Sequence, residues 1–427
     1  MPSLLIRNGR VIDPSQNLDQ IANLRIEDGL VVSIGADDAP ADQVIDATGL
    51  LVTPGLIDMH VQVREPGHEE DETIESAAAA ALAGGFTSIA VISETQPPVD
   101  TAAAVTFLER QASQADRCRV LPIACVSSQR QGEELAEIGT LVRAGAVAFS
   151  DGERPVSNPE LLRRAFEYAQ MFDKPVLNRS EMVELSRDGV MHEGLISTIL
   201  GLAPMPAEAE DVMAARDIRI CEATGGRLHL LAISCSGTVE ILRRAKDRGV
   251  NVSASICAYH FALTDEAMRS FDTNLKLNPP LRSLEHQQAC VAGLLDGTID
   301  VIASGHAPRA SEKKMCAITE APFGMTGLET SLGLAATHLV HTGKLTWSQV
   351  IEKMSCNPAQ VLGIDGGSLA PGRVADVTLI DPEKTWTVDP TKFLSHGANC
   401  PWGGAELTGL AVATIVGGVV KFRYDGG

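Results

Sequence analysis

Long apolar runs are missing from this chain of 427 residues. No stretch approaches the roughly 20 apolar residues that a membrane-spanning helix needs. The first 25 residues also lack a basic segment followed by an apolar one, the pattern of a secretory signal. We therefore expect a cytoplasmic protein that does not bind a membrane.

Paired cysteines and basic charge are also scarce. Nine cysteines are scattered from Cys118 to Cys400 without a C-x-x-C pair, which argues against a disulfide framework and a zinc knuckle. The 35 Lys and Arg residues are outnumbered by 55 Asp and Glu residues, giving a formal net charge of -20. Nucleic-acid binding needs basic patches, so we expect no nucleic-acid partner, and a protein partner should offer a basic surface.

Both ends of the chain carry short alternating apolar segments with hairpin-turn signals. At the beginning they read LLIRNGRVID, ANLRIEDGLVVSIG and QVIDATGLLVTPG, and at the end GSLAPGRVADVTLID and GLAVATIVGGVVKF. This pattern predicts a small β-sandwich domain formed by both termini, from residues 1–53 and 366–427.

Residues 54–365 show the alternation of apolar runs and helical stretches that is typical of parallel βαβ units. Eight apolar runs occur in order: LIDMHVQV, TSIAVIS, RVLPIACV, AVAFSD, PVLNRS, RLHLLAIS, NVSASICAY and IDVIASG. Helices are predicted between them, for example at ESAAAAALAGG and PELLRRAFEYAQMF. We expect an α/β fold, a (β/α)8 TIM-like barrel whose site lies at the carboxyl ends of the strands.

Seven motifs are spread along nearly the whole chain: DMHVQVREPG, GGFTSIAVISETQPPV, FSDGERPV, GVMHEGLISTILGL, NLKLNPPLR, TIDVIASGHAP and APFGMTGLET. They resemble the successive motifs of the bacterial dihydroorotases of the amidohydrolase superfamily. The resemblance implies a metal-bearing barrel that interconverts carbamoyl aspartate and dihydroorotate in pyrimidine biosynthesis. It also implies a metal centre built from two His of strand one, a carboxylate of strand four, one His each of strands five and six, and an Asp of strand eight.

Carried onto this chain, that ligand pattern keeps His60 and Asp151 as metal-site remnants. Four positions differ from the pattern, namely Gln62, Asn178, Ala232 and Gly305. The family Asp at the last of these handles the proton of the metal-bound water, and glycine has no side chain to do so. We therefore expect no intact catalytic residue and no cofactor, or at most weakly bound zinc.

Four residues remain as candidates for a vestigial substrate pocket: Arg64, Glu94, Asn278 and Arg309. Glu94 stands where the family has a substrate-binding Asn, and its charge would repel the carboxylate of dihydroorotate. An ion pair between Glu94 and Arg64 would fill that pocket internally. Arg309 stands where the family usually has His.

Replacement ligands are not evident from strand parity. His229 is three residues from Ala232, so we expect it to face the helices as a packed structural residue. Cys235, Cys257 and His260 lie near strand ends, but none matches the ligand spacing of the family.

Three interpretations of function follow from this pattern. The first is a dihydroorotase-like protein that lacks catalysis and acts as a structural partner of aspartate carbamoyltransferase, in a homo-oligomer or hetero-oligomer. The second is an enzyme, either a divergent cyclic-amide hydrolase with a weak or mononuclear metal site or an active dihydroorotase. The third is a sensor that keeps the pocket for a small molecule.

Overall fold

The computed structural model describes residues 3–424, in which eighteen strands and fourteen α-helices form a mixed α/β architecture. The strands are β1 Leu4–Asp13, β2 Leu18–Glu27, β3 Leu30–Gly35, β4 Gln43–Asp46, β5 Leu51–Pro54, β6 Leu56–Val61, β7 Phe86–Val91, β8 Arg119–Ala124, β9 Ala148–Phe149, β10 Val176–Arg179, β11 Met191–His192, β12 Pro204–Met205, β13 Leu228–Leu231, β14 Val252–Cys257, β15 Val301–Ala303, β16 Val377–Thr387, β17 Glu406–Val416 and β18 Val419–Arg423.

The helices occupy the segments between the barrel strands and after the last of them. They are α1 Ile74–Ala83, α2 Ala102–Ala115, α3 Ile138–Arg143, α4 Pro159–Gln170, α5 Val183–Ser186, α6 Leu195–Leu200, α7 Glu208–Thr224, α8 Ser236–Asp247, α9 Ala258–Ala262, α10 Leu284–Leu295, α11 Ser311–Lys314, α12 Ser331–Ala335, α13 Trp347–Ile351 and α14 Asn357–Leu362. Two π-helical stretches, Ala336–Val340 and Glu352–Cys356, continue α12 and α13. No helix in residues 3–424 is both long and apolar enough to cross a membrane.

Strands from both termini meet in one domain, as the sequence predicts, and they form a single sheet there. Its order is β18-β17-β16-β5-β1-β2-β3, and β4 pairs with β1 beside this path. The sheet divides at β1, which pairs in parallel with β4 along residues 4–7 and with β5 along residues 10–11. Buried Leu and Ile residues such as Ile6, Leu24 and Ile415 form the core of this domain.

The eight predicted apolar runs form the eight strands of the barrel. Their order is β15-β14-β13-β10-β9-β8-β7-β6, and the neighbouring strands are parallel. A parallel bridge between Val61 and His306 closes the ring, with the Gln62 amide donating to the His306 carbonyl at 2.8 Å. The (β/α)8 barrel and its companion domain are therefore confirmed.

Local sequence explains the predicted helices. Thr73 and Ser76 form a capping box at the start of α1, and the alanines of α1 are mostly buried, so this helix packs closely on the sheet. Asn158 caps α4, and Pro159 follows at the first helical position, where proline is tolerated. Both helices lie where their patterns predict, and they help to hold the barrel whose carboxyl end forms the mouth.

Candidate functional site

The centre of the barrel mouth is a carboxylate, that of Glu153, in the loop after β9. Its Oε1 lies 3.1 Å from His60 Nε2 and accepts a hydrogen bond from Gln62 Nε2 at 3.1 Å. Its Oε2 forms an ion pair with the Arg179 guanidinium at the end of β10. The shared face expected for His60 and Gln62 is therefore observed, but both side chains contact a carboxylate of the chain itself.

The charges at this centre stabilise one another. Burial disfavours the charged forms of Glu153 and His60, but their partners outweigh it. The Arg179 and His60 charges hold the pKa of Glu153 well below its usual range. The contacts with Cys257 and Glu153 raise the pKa of His60 to about 10, which favours its protonated form.

A second cluster lies around Glu94. Its Oε2 is 3.4 Å from Arg64 Nη1, so the ion pair expected between these residues is present. The other oxygen accepts a hydrogen bond from the Glu153 amide at 2.9 Å and pairs with Arg130. Arg64 also donates to Gln62 Oε1, which links the two clusters. The mouth is thus filled by paired arginines and glutamates rather than by open carboxylates.

A cavity of about 290 Å³ opens beside these clusters. Glu94, Asn278 and Arg309 line it together with Tyr259 and Phe323, so three of the four substrate-pocket candidates lie at its wall. Asn278 donates to Glu181 at 2.9 Å, and Arg309 donates to the Phe323 carbonyl at 3.0 Å. This volume is at the lower limit of ordinary ligand pockets, so the cavity has room for a small ligand only.

Asp151, the second expected remnant, is engaged in holding the backbone. Its Oδ1 accepts the amides of Val126 and Ser127 at 2.9 and 3.0 Å, and its Oδ2 accepts the Ser127 hydroxyl at 2.5 Å. Burial raises the pKa of Asp151, and these hydrogen bonds oppose that shift. The carboxylate therefore fixes the loop after β8, and its hydrogen bonds go to that loop rather than to His60.

Asn178 is turned away from the mouth. It accepts the Val156 amide at 3.0 Å and donates at 2.6 Å to Asp217 of α7, in the helix layer. The next residue on β10, Arg179, reaches Glu153 instead. Successive residues of a strand point to opposite faces, so the strand-five side chain of the mouth is Arg179 rather than Asn178.

The parity argument for strand six also needs correction. Strand β13 ends at Leu231, and Ala232 has a left-handed φ of 52°, so alternation does not extend to it. His229 pairs in register with Leu177, which packs inside the barrel with Leu231 and Val301 from other strands. His229 therefore shares the interior face and does not face the helices as expected.

His229 makes one hydrogen bond there. Its Nδ1 lies 2.8 Å from the Ser253 hydroxyl, and burial lowers the pKa of His229 to about 3. It is a neutral, packed residue, in agreement with the structural role expected for it.

Gly305 adopts a left-handed φ of 63° at the end of strand eight. A Cβ at this position would lie 2.6 Å from Cys257 Sγ and 2.8 Å from Tyr259 Oη. Contacts this short require neighbouring atoms to move. The thiol of Cys257, at the end of β14, and the phenol of Tyr259, in α9, thus occupy the space that a side chain at position 305 would need.

The residues of the mouth do not fit a zinc ion. Zinc sites combine three or four His, Cys, Asp or Glu side chains, and no group of three or more such residues suited to a metal occurs within residues 3–424. His60 Nε2 is bound to Glu153, whose charge is matched by Arg179. The donor set is therefore compensated within the protein.

Sequence reasoning missed the residues that organise this mouth, above all Glu153, Arg179 and Tyr259. Arg179 carried a usable signal, because it neighbours Asn178 with the opposite strand parity. Glu153 and Tyr259 gave no such signal, since Glu153 lies in a loop and Tyr259 in the short helix α9, so the alternation of a strand applies to neither.

Comparison with known proteins places these observations in a family context. The sequence model of the amidohydrolase family matches residues 51–421. A dihydroorotase of Pelobacter propionicus is 49% identical over 423 residues, covering 99% of this chain and 100% of the relative. A dihydroorotase of Pelotomaculum thermopropionicum is 49% identical over 421 residues, with 98% of each chain covered.

Solved structures agree with the fold. An L-hydantoinase (dihydropyrimidinase) from Arthrobacter aurescens superposes with a TM-score of 0.89 and 26% identity, covering 98% of this chain and 96% of the other. The dihydropyrimidinase of Brevibacillus agri gives a TM-score of 0.86 at 23% identity, covering 99% and 95%. The barrel and the sheet from both termini are thus shared with solved enzymes of this architecture.

Proposed function

We propose a function for this chain, which belongs to the amidohydrolase family. The chain is a dihydroorotase-derived protein of pyrimidine biosynthesis that has lost the metal-dependent reaction and acts as a structural partner of aspartate carbamoyltransferase. The pathway assignment rests on similarity to relatives named dihydroorotase. The loss of catalysis and the partner go beyond those names.

One observation carries the loss of catalysis: the chain supplies its own charge partners where the family holds a metal. The Glu153 carboxylate lies between His60, Gln62 and Arg179. Arg179 brings a cation to the place where a divalent ion would need anionic or neutral ligands. Hydrolysis by a metal-activated water needs an open coordination position and a proton acceptor, and these residues provide neither.

The position of Gly305 supports the same conclusion independently. The family Asp cannot be accommodated there while Cys257 and Tyr259 hold their places. Loss of one ligand could leave a variant site. A pocket closed by side chains from the first, fourth, fifth and seventh strand ends favours a scaffold that is retained for its surface.

The test is metal content and turnover in the same preparation. Protein purified without chelator should carry well under one zinc per chain, and it should not convert carbamoyl aspartate or dihydroorotate. The Pelobacter propionicus dihydroorotase, handled identically, is the positive control. Stoichiometric zinc that His60→Ala removes, together with turnover, would refute the proposal.

The partner is tested separately, by mixing the chain with aspartate carbamoyltransferase of the same organism. Light scattering should show a species larger than either protein alone. Independent elution of the two proteins at micromolar concentration and low salt would refute the structural role, but it would not bear on the proposed loss of catalysis.

A second candidate function is hydrolysis of another small cyclic amide. The cavity of about 290 Å³ beside His60 and the similarity to a hydantoinase favour it. Turnover of hydantoin or dihydrouracil that His60→Ala abolishes would establish this alternative, and absence of turnover on both substrates would exclude it for these amides.

A further inference from the structure

The segment of residues 180–207 between β10 and α7, called the excursion below, carries several exposed apolar side chains. Val183 and Leu185 of α5 are 41% and 46% exposed, and Leu195 and Ile199 of α6 are 72% and 55% exposed. Residues four apart lie on one side of a helix, so the pair on α6 forms a single stripe. Exposed apolar residues that cluster in this way mark interaction sites more often than isolated ones do.

Neighbouring segments extend this surface. The 3-10 segment Asp265–Ser270 packs against α6 and is followed by Phe271, which is 49% exposed. Leu284, 57% exposed, begins α10 two residues before His286, whose ring meets the His192 ring of β11 edge-on at 5.1 Å. We define the apolar face as Val183, Leu185, Leu195, Ile199, Phe271 and Leu284.

The excursion is held firmly to the barrel. Strand β11 pairs with β12, and α5 packs on α7. Arg282 is buried and donates to the Met205 carbonyl of β12 at 2.9 Å. Ile196, between the two exposed residues of α6, is buried at 3% exposure. A face presented by a fixed backbone loses little conformational freedom when a partner binds.

Charge around the face is predominantly negative. Glu184, Asp188, Glu193 and Glu285 are exposed, and none forms an ion pair with another residue of the described chain. Arg187 offsets one of these charges. A second copy of the chain would bring like-charged rims together, which disfavours self-pairing. An apolar patch with Lys and Arg at its edge would complement the face.

We infer that the apolar face is the docking surface for a protein partner that presents an apolar centre rimmed by basic residues. This inference rests on the proposed function and assigns the partner to the carboxyl side of the barrel, because the excursion follows the carboxyl end of β10. Apolar contacts at the centre supply affinity, and the acidic rim sets orientation and association rate.

The test compares two variants that change equally exposed residues. Leu195→Asp changes a residue of the face that is 72% exposed. Met171→Asp changes a residue that is 73% exposed and lies at the carboxyl end of α4, before β10 and outside the face. Both variants should fold, since neither side chain is buried. The probe is aspartate carbamoyltransferase of the same organism, and the readout is Kd by sedimentation together with the unfolding midpoint of each variant.

Leu195→Asp should weaken association by about 30-fold or more, the loss expected for a central contact, while Met171→Asp should change it by less than about twofold. Association slowed by Glu184→Gln and Glu193→Gln at low salt, with little effect at high salt, would support the rim assignment.

The outcomes separate this inference from the proposed function. Wild-type association that Leu195→Asp leaves unchanged would overturn the face alone. If the wild-type chain does not associate with aspartate carbamoyltransferase, the proposed partner is overturned, and with it the partner assigned to the face. A self-associated chain that Leu195→Asp dissociates would overturn the inference by showing that the face serves a second copy.

Discussion

Substitution of Gly305 tests whether the strand-eight position is closed to a side chain. In Gly305→Ala, the new Cβ would lie 2.6 Å from Cys257 Sγ and 2.8 Å from Tyr259 Oη. Overpacking of this kind costs about 1–3 kcal/mol in the free energy of unfolding. The left-handed φ of 63° adds about 1–2 kcal/mol for any residue with a Cβ. The expected loss is therefore about 2–5 kcal/mol.

A matched control separates the two contributions. Gly343 has a similar φ of +72°, and a Cβ there would meet nothing within 4 Å. Gly343→Ala should lose only the conformational part, about 1–2 kcal/mol. Urea unfolding followed by circular dichroism measures both variants. A Gly305→Ala loss no greater than that of Gly343→Ala would refute the claim that Cys257 and Tyr259 fill the site.

Three further predictions concern the charged mouth. Glu153→Ala should lower the free energy of unfolding by about 3–5 kcal/mol, because it leaves the buried Arg179 without its main partner. In the same urea assay, the control Glu167→Ala, which removes the exposed partner of Arg163, should cost less than about 1 kcal/mol. The raised pKa of His60 means that the stabilisation from its charge is complete below about pH 6.5 and is lost as the pH approaches about 10. His60→Gln should flatten that alkaline decline in unfolding free energy, and an unchanged decline would contradict the pairing with Glu153. Excess zinc should leave the unfolding temperature unchanged, because only a ligand that binds the native state raises it, and a rise of several degrees that His60→Ala removes would reveal a metal site.

Periodicity and turn signals were enough to predict the architecture. Continuous apolar runs such as LIDMHVQV predict buried parallel strands because their two faces are both covered, and all eight lie in the barrel. The sheet of both termini was predicted from alternation and turn residues. These signals are local, so they can be recognised without knowing what lies across the barrel.

Parity predicted the site only where the strand geometry holds. His60 and Gln62 share a face as expected, and both reach Glu153. On β10 the alternation also holds, but which of Asn178 and Arg179 faces the mouth depends on how this short strand is set against its neighbours. At Ala232 the strand has already ended, so spacing carries no information about direction.

The sequence by itself determined the barrel and the sheet of both termini, because each depends on residue type and spacing along the chain. Only the tertiary structure decided which side chains meet at the barrel mouth. Glu153 and Arg179 come from different strand ends, and Tyr259 fills the space beside Gly305 from a third. Such contacts join residues far apart in the chain, so their geometry exists only once the barrel has brought the strand ends together.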